Sequence, residues 1–461
     1  MAQNQPANIL EAFIERENTY ADYSISINNI ECYPVIRRYI REKYCNSKTK
    51  QSFRSPSVDK ISVIKNFFLS SIQLVRLLCF GKKKMKNFVY SFYRVDKIGD
   101  EYFDKFTDPL IDNSSIKESF VIFEHHKDGV HRKPRKHSKK IVYSDAIDAF
   151  GIIYAKLYTP FYKKKHINEL ERIWMFLDRL MDGVEYNKNS IVSLLVKFEH
   201  LSHIYGSIFS RLGVENLIAP ARSTFLPLLY AAKKNKIKSF ELQHGVLNSV
   251  GISFSGHIVE EFTPDYFCSY GEIQQPLYYG IPSNRIVNIG WSLTDYLKNA
   301  PVNKDIRVRD VLIPSNPNTT DKVIDVILLL AKKHLDINFY FRPHPVECFS
   351  PETLAKIRAQ KNVFIQDNFQ NFSYVLSWFS NVMGDNSTTL DEALSAGKKV
   401  GRLKYDGFVP LYINKEYKEM SWEIYDDESF EAYINAESKV ITLESNVYSP
   451  FRRKQVEALF G

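Results

Sequence analysis

Residues 310–345, DVLIPSNPNTTDKVIDVILLLAKKHLDINFYFRPHP, decide the fold because they predict a strand, a helix and a second strand in succession. Short β-branched and aromatic runs flank a segment whose apolar residues recur at helical spacing. The alternation continues through NVFIQD (362–367), SYVLSWF (373–379), NVMGDN (381–386), TTLDEALSAG (388–397) and KKVGRL (398–403). Alternating strands and helices favour a parallel sheet covered on both faces, so this half is predicted to be a doubly wound α/β domain.

A second α/β unit is predicted upstream. NLIAPA (216–221), STFLPLLYAAKKN (223–235) and KSFELQHG (238–245) have the pattern of strand, helix and strand. Further buried strands are predicted for FVYSF (88–92), FVIFEH (120–125) and IVYSDA (141–146). We therefore expect an α/β protein with two Rossmann-like lobes facing a cleft. The predicted segments are a helical N-terminal section (1–85), an N-terminal lobe (86–260), a C-terminal lobe (261–420) and a helical tail (421–461) that could pack back on the N-terminal lobe.

Composition excludes several classes of protein. The chain has 461 residues, of which 44% are hydrophobic and 25% charged, as in packed globular proteins rather than fibrous or disordered ones. The net charge of +9 suits nucleic acid, an anionic membrane or anionic small molecules without choosing among them. Five scattered cysteines without a CxxC pair argue against a disulfide framework and a zinc site. We expect a cytoplasmic protein, because the acidic N-terminus is unlike a secretory signal.

Candidate ligand-binding residues follow the strands of the C-terminal half, since ligands bind beyond the carboxyl ends of parallel strands. Arg342, His344, Pro345 and Glu347 follow one strand, where a guanidinium and an imidazole could bind phosphate oxygens. The alternative is a turn whose histidine is held by the backbone.

Two other strand ends carry polar residues. Ser387 and Thr388 precede a helix, where free N–H groups and the helix dipole attract phosphate, and Glu392 lies one turn later, where it could accept ribose hydroxyls. The simpler explanation for Ser387 is helix capping, which uses the same geometry. Ser315 and Asn316 form a third, weaker candidate after DVLIPS.

Four motifs in order resemble a known family: QHG (243–245), DYFCSYGE (265–272), RPHPVE (342–347) and NSTTLDEALSAGKKV (386–400). The combination is similar to glycosyltransferases of the GT-B type that build bacterial surface polysaccharides. Within that group it resembles the sialyl-, polysialyl- and Kdo-transferases, which use CMP-sugars. It is also similar to the CDP-glycerol glycerophosphotransferases. The resemblance covers residues 216–410.

The resemblance implies roles for several residues. His344 would contact the donor phosphate, Ser387 and Thr388 would bind it, and Glu392 would hold the ribose. Gln243 and His244 would face the cleft from the N-terminal lobe, Gln243 toward the sugar and His244 among the catalytic groups. The implied activity needs no metal and no cofactor, the nucleotide sugar being the substrate.

The sequence has no clear counterpart of the aspartate that acts as base in the sialyltransferases. Asp108 and Glu124 are the leading candidates for the base, and Arg94 could bind the carboxylate of an acidic sugar or form a surface ion pair. Alternative functions are a CDP-glycerol-type polyol-phosphate transferase and a non-catalytic nucleotide- or glycan-binding subunit of a polysaccharide assembly complex.

Partners follow from the same considerations. We expect a nucleotide-sugar donor and an oligosaccharide or lipid-linked glycan acceptor, and no nucleic acid, because no reader motif occurs. Residues 61–80 form an apolar stretch beside a cluster of lysines, which could lie on an anionic membrane at the inner face of the cell membrane. A core helix is the simpler interpretation, and the basic segment Lys127–Lys140 is interpreted as a solvated loop or an acceptor contact.

Overall fold

The computed structural model describes most of the chain in separate ranges. The described residues are 6–20, 24–49, 60–80, 84–91, 95–126, 129–245, 259–271, 281–293, 307–316, 319–344, 347, 349–366, 370–385, 387–406, 408, 415–437 and 448–460. Arg94 and Pro345, two of the predicted site residues, lie outside them.

The strands of the described residues form two large parallel sheets and two small hairpins. Numbered along the chain, they are β1 (Ser26–Ile27), β2 (Ile30–Glu31), β3 (Asn87–Ser91), β4 (Val95–Ile98), β5 (Glu101–Asp104), β6 (Phe120–Glu124), β7 (Ile141–Tyr143), β8 (Asn216–Pro220), β9 (Lys238–Leu242), β10 (Tyr266–Ser269), β11 (Ile286–Asn288), β12 (Arg307–Pro314), β13 (Phe339–Arg342), β14 (Val363–Ile365), β15 (Phe379–Gly384), β16 (Lys399–Leu403) and β17 (Trp422–Ile424). The first sheet has the order β11-β10-β9-β8-β3-β6-β7 and the second the order β14-β13-β12-β15-β16-β17.

All the pairings within these two sheets are parallel, as the alternation of strand and helix predicts. Helices cover the sheets, and their bounds are Pro6–Thr19, Cys32–Thr49, Lys60–Phe80, Asp108–Asp112, Asp145–Lys165, Ile167–Met181, Lys188–Leu212, Leu226–Lys234, Thr320–Lys333, Pro351–Arg358, Phe372–Leu376, Thr388–Ser395, Lys415–Met420, Asp427–Asn435 and Arg453–Phe460. The prediction of an α/β protein with two Rossmann-like lobes is confirmed.

The boundary between the lobes differs from the predicted one. The predicted C-terminal lobe (261–420) includes β10 and β11, but β10 pairs with β9 and β11 pairs with β10, so both belong to the first sheet. The chain changes sheet between β11 and β12. Short apolar strands pair equally well with many neighbours, so their local sequence does not show which sheet they join.

The C-terminal tail is divided between the lobes. Residues 422–435 supply β17 and a helix of the second lobe, whereas residues 448–460 pack on the first lobe. The backbone N–H of Ser449 donates to the carbonyl of Tyr270 at 2.7 Å, and the backbone N–H of Trp291 donates to the carbonyl of Ser449 at 2.9 Å. Gly290 has φ +66°, and a Cβ there would lie 1.9 Å from the Pro450 carbonyl oxygen, so only glycine allows this approach.

The N-terminal helical section is not a separate unit. Helices Pro6–Thr19 and Cys32–Thr49 share one apolar core with helices Asp145–Lys165, Ile167–Met181 and Lys188–Leu212, which follow the first strands of the N-terminal lobe. Helix Lys60–Phe80 packs on that lobe through Leu69, Leu74, Leu77 and Leu78. Its opposite face is exposed, so the interpretation of residues 61–80 as a core helix is wrong for that face.

Candidate functional site

The second sheet reverses its direction of growth at β12. β13 and β14 lie on one side of β12, whereas β15, β16 and β17 lie on the other. In open α/β sheets the loops on either side of such a reversal diverge and leave a crevice at the carboxyl edge. Ser315, His344 and Ser387 follow the three adjacent strands β12, β13 and β15, so the fold brings these predicted residues to that crevice.

Ser315, His344 and Glu347 are bonded to one another. The backbone N–H of His344 donates to Ser315 Oγ at 2.7 Å and to Glu347 Oε2 at 3.0 Å, and the Ser315 hydroxyl donates to the same Glu347 oxygen. The backbone N–H of Glu347 donates to the His344 carbonyl at 2.8 Å. Glu347 therefore holds the turn that presents His344, rather than facing a ligand phosphate itself. Asn316 closes the next turn, its carbonyl accepting from the backbone N–H of Thr319 at 2.9 Å.

Arg342 is directed along the sheet edge. Its guanidinium donates to the carbonyl of Gln370 and lies 5.9 Å from the centre of the Phe372 ring, and the residue is buried. These contacts fasten the loop before helix Phe372–Leu376. The predicted contact of Arg342 with phosphate stays a prediction.

Ser387 caps helix Thr388–Ser395, as the capping interpretation predicts. Its backbone is extended, its Oγ accepts from the N–H of Thr389, and the Ser387 and Thr389 hydroxyls lie 2.6 Å apart. Thr388 is exposed at the first helical position. Asp385, at the end of β15, is buried and accepts a hydrogen bond from the Thr319 hydroxyl, which links the loops after β12 and β15.

Glu392 lies in the contact between the two lobes. Its Oε1 is 3.6 Å from Nζ of Lys105, which follows β5 of the first lobe. Its Oε2 is buried and has no hydrogen-bond partner among the described residues. The hydroxyl of Tyr270 is likewise buried without a partner, and burial together with the nearby charges of Asp104 and Glu392 raises the pKa of Tyr270 well above its usual value. A buried polar atom without a partner costs free energy, so this cluster favours a ligand that carries hydroxyl groups.

The hairpin of β4 and β5 also reaches the second lobe. The Asn371 side chain donates to Asp96 Oδ2 at 2.8 Å, and its backbone N–H donates to the Lys97 carbonyl at 2.8 Å.

Similarity to known proteins is found among solved structures and not among sequence families. No sequence-family model matches the chain, and no curated protein is similar to it. Among solved structures, it is similar to the UDP-GlcNAc 2-epimerase of Methanocaldococcus jannaschii, with a TM-score of 0.49 and 12% identity over 81% of this chain and 97% of that one.

Two further solved structures are similar to the chain at lower TM-scores. The wall teichoic acid polymerase TagF has a TM-score of 0.39 and 13% identity over 82% of this chain and 91% of that one. MurG of Acinetobacter baumannii has a TM-score of 0.31 and 13% identity over 52% of this chain and 71% of that one. The two lobes themselves are shown by the two parallel sheets of this chain.

The two acids predicted as catalytic bases lie inside the first lobe and are bound to one arginine. Arg135 forms ion pairs with Asp108 and with Glu124, the latter at 2.7 Å from Nε, and all three residues are buried. Burial raises the pKa of Glu124, but the hydrogen bond from His131 and the charge of Arg135 outweigh it and lower that pKa. For Asp108, burial instead raises the pKa. Both carboxylates are nevertheless buried and paired with Arg135, away from any substrate, so the geometry argues against both predictions.

The basic segment Lys127–Lys140 supplies this arginine. His131 Nδ1 lies 2.9 Å from Glu124 Oε1 and its Nε2 lies 2.8 Å from Asp145 Oδ2. Within the described part of the segment, Arg135 and the His131 side chain are therefore internal, and the solvated-loop interpretation is wrong for them. A run of charges in sequence does not show that one of them has buried partners elsewhere.

Gln243 and His244 follow β9. The Gln243 side chain is buried, accepts from the backbone N–H of Tyr270 at 2.8 Å and donates to the Gly245 carbonyl at 2.9 Å. It thus fixes the turns after β9 and β10, and its contact with sugar stays a prediction. His244 is half-buried in the same turn.

A histidine that the sequence analysis did not select lies at the carboxyl end of β6. His125 Nδ1 is 3.0 Å from Asp148 Oδ2, the Ser144 hydroxyl donates to the same oxygen at 3.0 Å, and the His125 side chain is 32% exposed. A carboxylate that holds one imidazole nitrogen leaves the other free to exchange protons. The only signal in the sequence was its place as the last residue of a predicted strand.

One three-residue group among the described residues could hold a metal ion: His334, Asp427 and Glu431. His334 precedes β13, so the group lies at the amino edge of the second sheet, opposite the crevice. This group is not part of the candidate site.

Asp104 gives a test of the buried charges in the first lobe. Burial and the neighbouring charge of Asp108 raise its pKa to about 7. The folded protein then keeps a proton that the unfolded chain loses near pH 4, so this group lowers the free energy of unfolding as pH rises from about 4 through 7. Asp104→Asn should therefore gain about 3 kcal/mol relative to the unsubstituted protein between pH 5 and pH 8, measured by urea unfolding. Parallel pH profiles for the two proteins would contradict the raised pKa.

Proposed function

We propose that the chain is a glycosyltransferase that uses a nucleotide sugar, with a CMP-linked acidic sugar of the sialic-acid or Kdo type as donor and a growing capsule or lipopolysaccharide glycan as acceptor. The observation that carries the proposal is the crevice after β12, β13 and β15, which brings Ser315, His344 and Ser387 together with the buried Glu392 one helical turn away. The activity needs no cofactor, and we propose a cytoplasmic location.

The crevice suits a nucleotide by its chemistry. The dipole at the start of helix Thr388–Ser395 and the hydroxyls of Ser387 and Thr388 would stabilise the phosphate that leaves with negative charge. His344, presented by the turn that Glu347 holds, would donate to the same phosphate. The partnerless Oε2 of Glu392 would accept the ribose hydroxyls, which removes the cost of leaving it unbonded.

The acceptor needs a base, and we propose His125 for it. His125 lies at the carboxyl edge of the first sheet and is partly exposed, and Asp148 holds its Nδ1. Its Nε2 would take the proton of the acceptor hydroxyl as the glycosidic bond to the donor phosphate breaks.

Substitution of Glu392 tests the nucleotide site. Glu392→Leu removes an acceptor of charged hydrogen bonds, each of which is worth about 1.5–3 kcal/mol, so CMP binding should weaken by about 100-fold in calorimetry. Asp391→Asn is the matched control, because the adjacent Asp391 is bound to buried Arg402 at 2.6 Å and faces the interior. It should change stability but leave CMP affinity within about threefold.

The outcomes distinguish the alternatives. Equal loss of CMP affinity in both variants would show that Glu392 is not part of the nucleotide site. A chain that binds neither CMP nor CDP would refute the proposal. Turnover of CDP-glycerol instead of a CMP-sugar would assign the polyol-phosphate transferase activity. Binding of nucleotide without turnover of either donor would favour the non-catalytic subunit of an assembly complex.

A further inference from the structure

Two packed helices of the first lobe expose a continuous apolar surface. On helix Lys60–Phe80 the outward side chains recur every three or four residues and are 50 to 79% exposed: Ile61, Ile64, Phe68, Ile72 and Val75. On helix Asp145–Lys165 the outward side chains follow the same spacing and are 46 to 69% exposed: Phe150, Ile153, Leu157 and Phe161. The rings of Phe67 and Phe150 join the helices, with centroids 5.7 Å apart. We call these nine outward residues the apolar face.

The orientation of helix Lys60–Phe80 is held by polar bonds on its inner side. Ser70 Oγ accepts from the backbone N–H of Ala146 at 2.9 Å, and Gln73 Oε1 accepts from the N–H of Tyr143 at 3.0 Å. Asn66 donates to the Gly129 carbonyl at 2.8 Å. The helix cannot turn its apolar residues inward without breaking these bonds. Each large apolar side chain left in water forgoes about 1.5–3 kcal/mol of burial, so the apolar face is expected to have a partner.

On the described residues of these two helices, the exposed charges are of one sign. Its exposed cations are Lys65, Arg76, Lys156, Lys164 and Lys165. Helix Lys60–Phe80 has no acidic residue, and the two acids of helix Asp145–Lys165 lie in its first turn, where His131 and His125 bind them. A partner must therefore accept apolar side chains and supply negative charge.

We propose that the apolar face docks the protein on the surface of an anionic bilayer, with both helices lying in the plane of the interface. Apolar residues would enter the boundary of headgroups and acyl chains while the lysines and arginine contact anionic headgroups. A symmetric contact with a second copy fits less well, because it would bring the same cations of both copies together.

Helix Lys60–Phe80 lies along the surface of the first lobe and is not free to cross a membrane. Ile61–Cys79 is long and apolar enough to span a bilayer, and only 6% of it is buried in the protein. The bonds of Ser70, Gln73 and Asn66 nevertheless hold one side of it against the lobe. Those bonds would have to break for the helix to insert across the membrane.

The apolar face adjoins the edge of the first lobe that carries His125. Helix Asp145–Lys165 begins directly after β7, at the same carboxyl edge as His125. If the proposed function holds, an acceptor anchored in the membrane would reach that edge without leaving the bilayer surface.

The experiment measures sedimentation of the full chain with vesicles and needs no donor, so its result is independent of the proposed function. Phosphatidylcholine vesicles with phosphatidylglycerol should bind the protein, and vesicles of phosphatidylcholine alone should bind it about tenfold less. The double variant Phe68→Glu, Leu157→Glu should lose binding to the anionic vesicles by about tenfold or more. Leu329→Glu is the matched control, because Leu329 is also exposed, at 64%, but lies on the second lobe.

Three results would overturn the proposal: no binding of the unsubstituted chain to anionic vesicles, equal binding by the double variant, or equal loss in Leu329→Glu. Sedimentation velocity without lipid supplies a second measurement. A dimer that the double variant dissociates, in a chain that does not bind vesicles, would assign the apolar face to contact between copies instead.

Discussion

His125→Ala is expected to lower kcat for sugar transfer by about 10²–10⁴-fold, which is the usual contribution of a general base, while CMP affinity stays unchanged. The reason is geometric. Asp148 holds Nδ1 of His125 at the carboxyl edge of the first lobe, whereas the residues proposed to bind the nucleotide lie on the second lobe. The measurement is single-turnover transfer from a CMP-sugar, with CMP binding by calorimetry in parallel.

His126→Ala is the matched control for this prediction. Its ring stacks on that of His125 with centroids 4.7 Å apart, and its Nδ1 accepts from the backbone N–H of Gly129 at 3.0 Å. The variant disturbs the same loop but removes no proposed proton acceptor, so kcat should fall by less than about tenfold. Similar losses in both variants, or a fall in CMP affinity in His125→Ala, would exclude His125 as the base.

Arg135→Met is expected to lower the free energy of unfolding by about 3–5 kcal/mol at pH 8, because removal of one partner leaves buried charges uncompensated. Asp108 and Glu124 would both lose their ion pair in the interior of the first lobe. The loss should shrink toward pH 5, where the stranded carboxylates can take up protons. Urea unfolding at the two pH values measures it.

The neighbouring lysine provides the control for Arg135. Lys136 pairs with Asp112 at 2.6 Å, but both side chains are partly exposed, so Lys136→Met should cost less than about 1 kcal/mol. If Arg135→Met cost no more than Lys136→Met, the buried network would not support the first lobe. The predicted bases Asp108 and Glu124 would then need to be reconsidered.

The candidate nucleotide site was largely predictable because its residues are local to strand ends. The runs before Ser315, His344 and Ser387 have the apolar character of buried strands, and serine at position 387 is a residue type that commonly caps helices. The parallel topology then brings the ends of β12, β13 and β15 to one edge. Only the order of the strands had to be added to the sequence pattern to bring these residues together.

The proposed base and the buried ion network were not predictable in the same way. Arg135 lies in a segment that is basic by composition, and nothing near it in sequence indicates that Asp108 and Glu124 surround it. His125 acquires its role from Asp148, a residue of the following helix. Such pairs depend on distances in space that the local sequence does not encode.

By itself, the sequence determined the class of fold, the positions of most strands and helices, and the polar residues at the strand ends of the second lobe, because periodicity and capping are local properties of the chain. The tertiary structure alone decided that β10 and β11 join the first sheet, that Arg135 neutralises the predicted bases, and that helix Lys60–Phe80 turns its apolar residues outward. An apolar stripe at helical spacing shows that one side of a helix differs from the other. Which side meets the protein depends on the polar bonds and packing of its neighbours, here Ser70 and Gln73 against the first lobe.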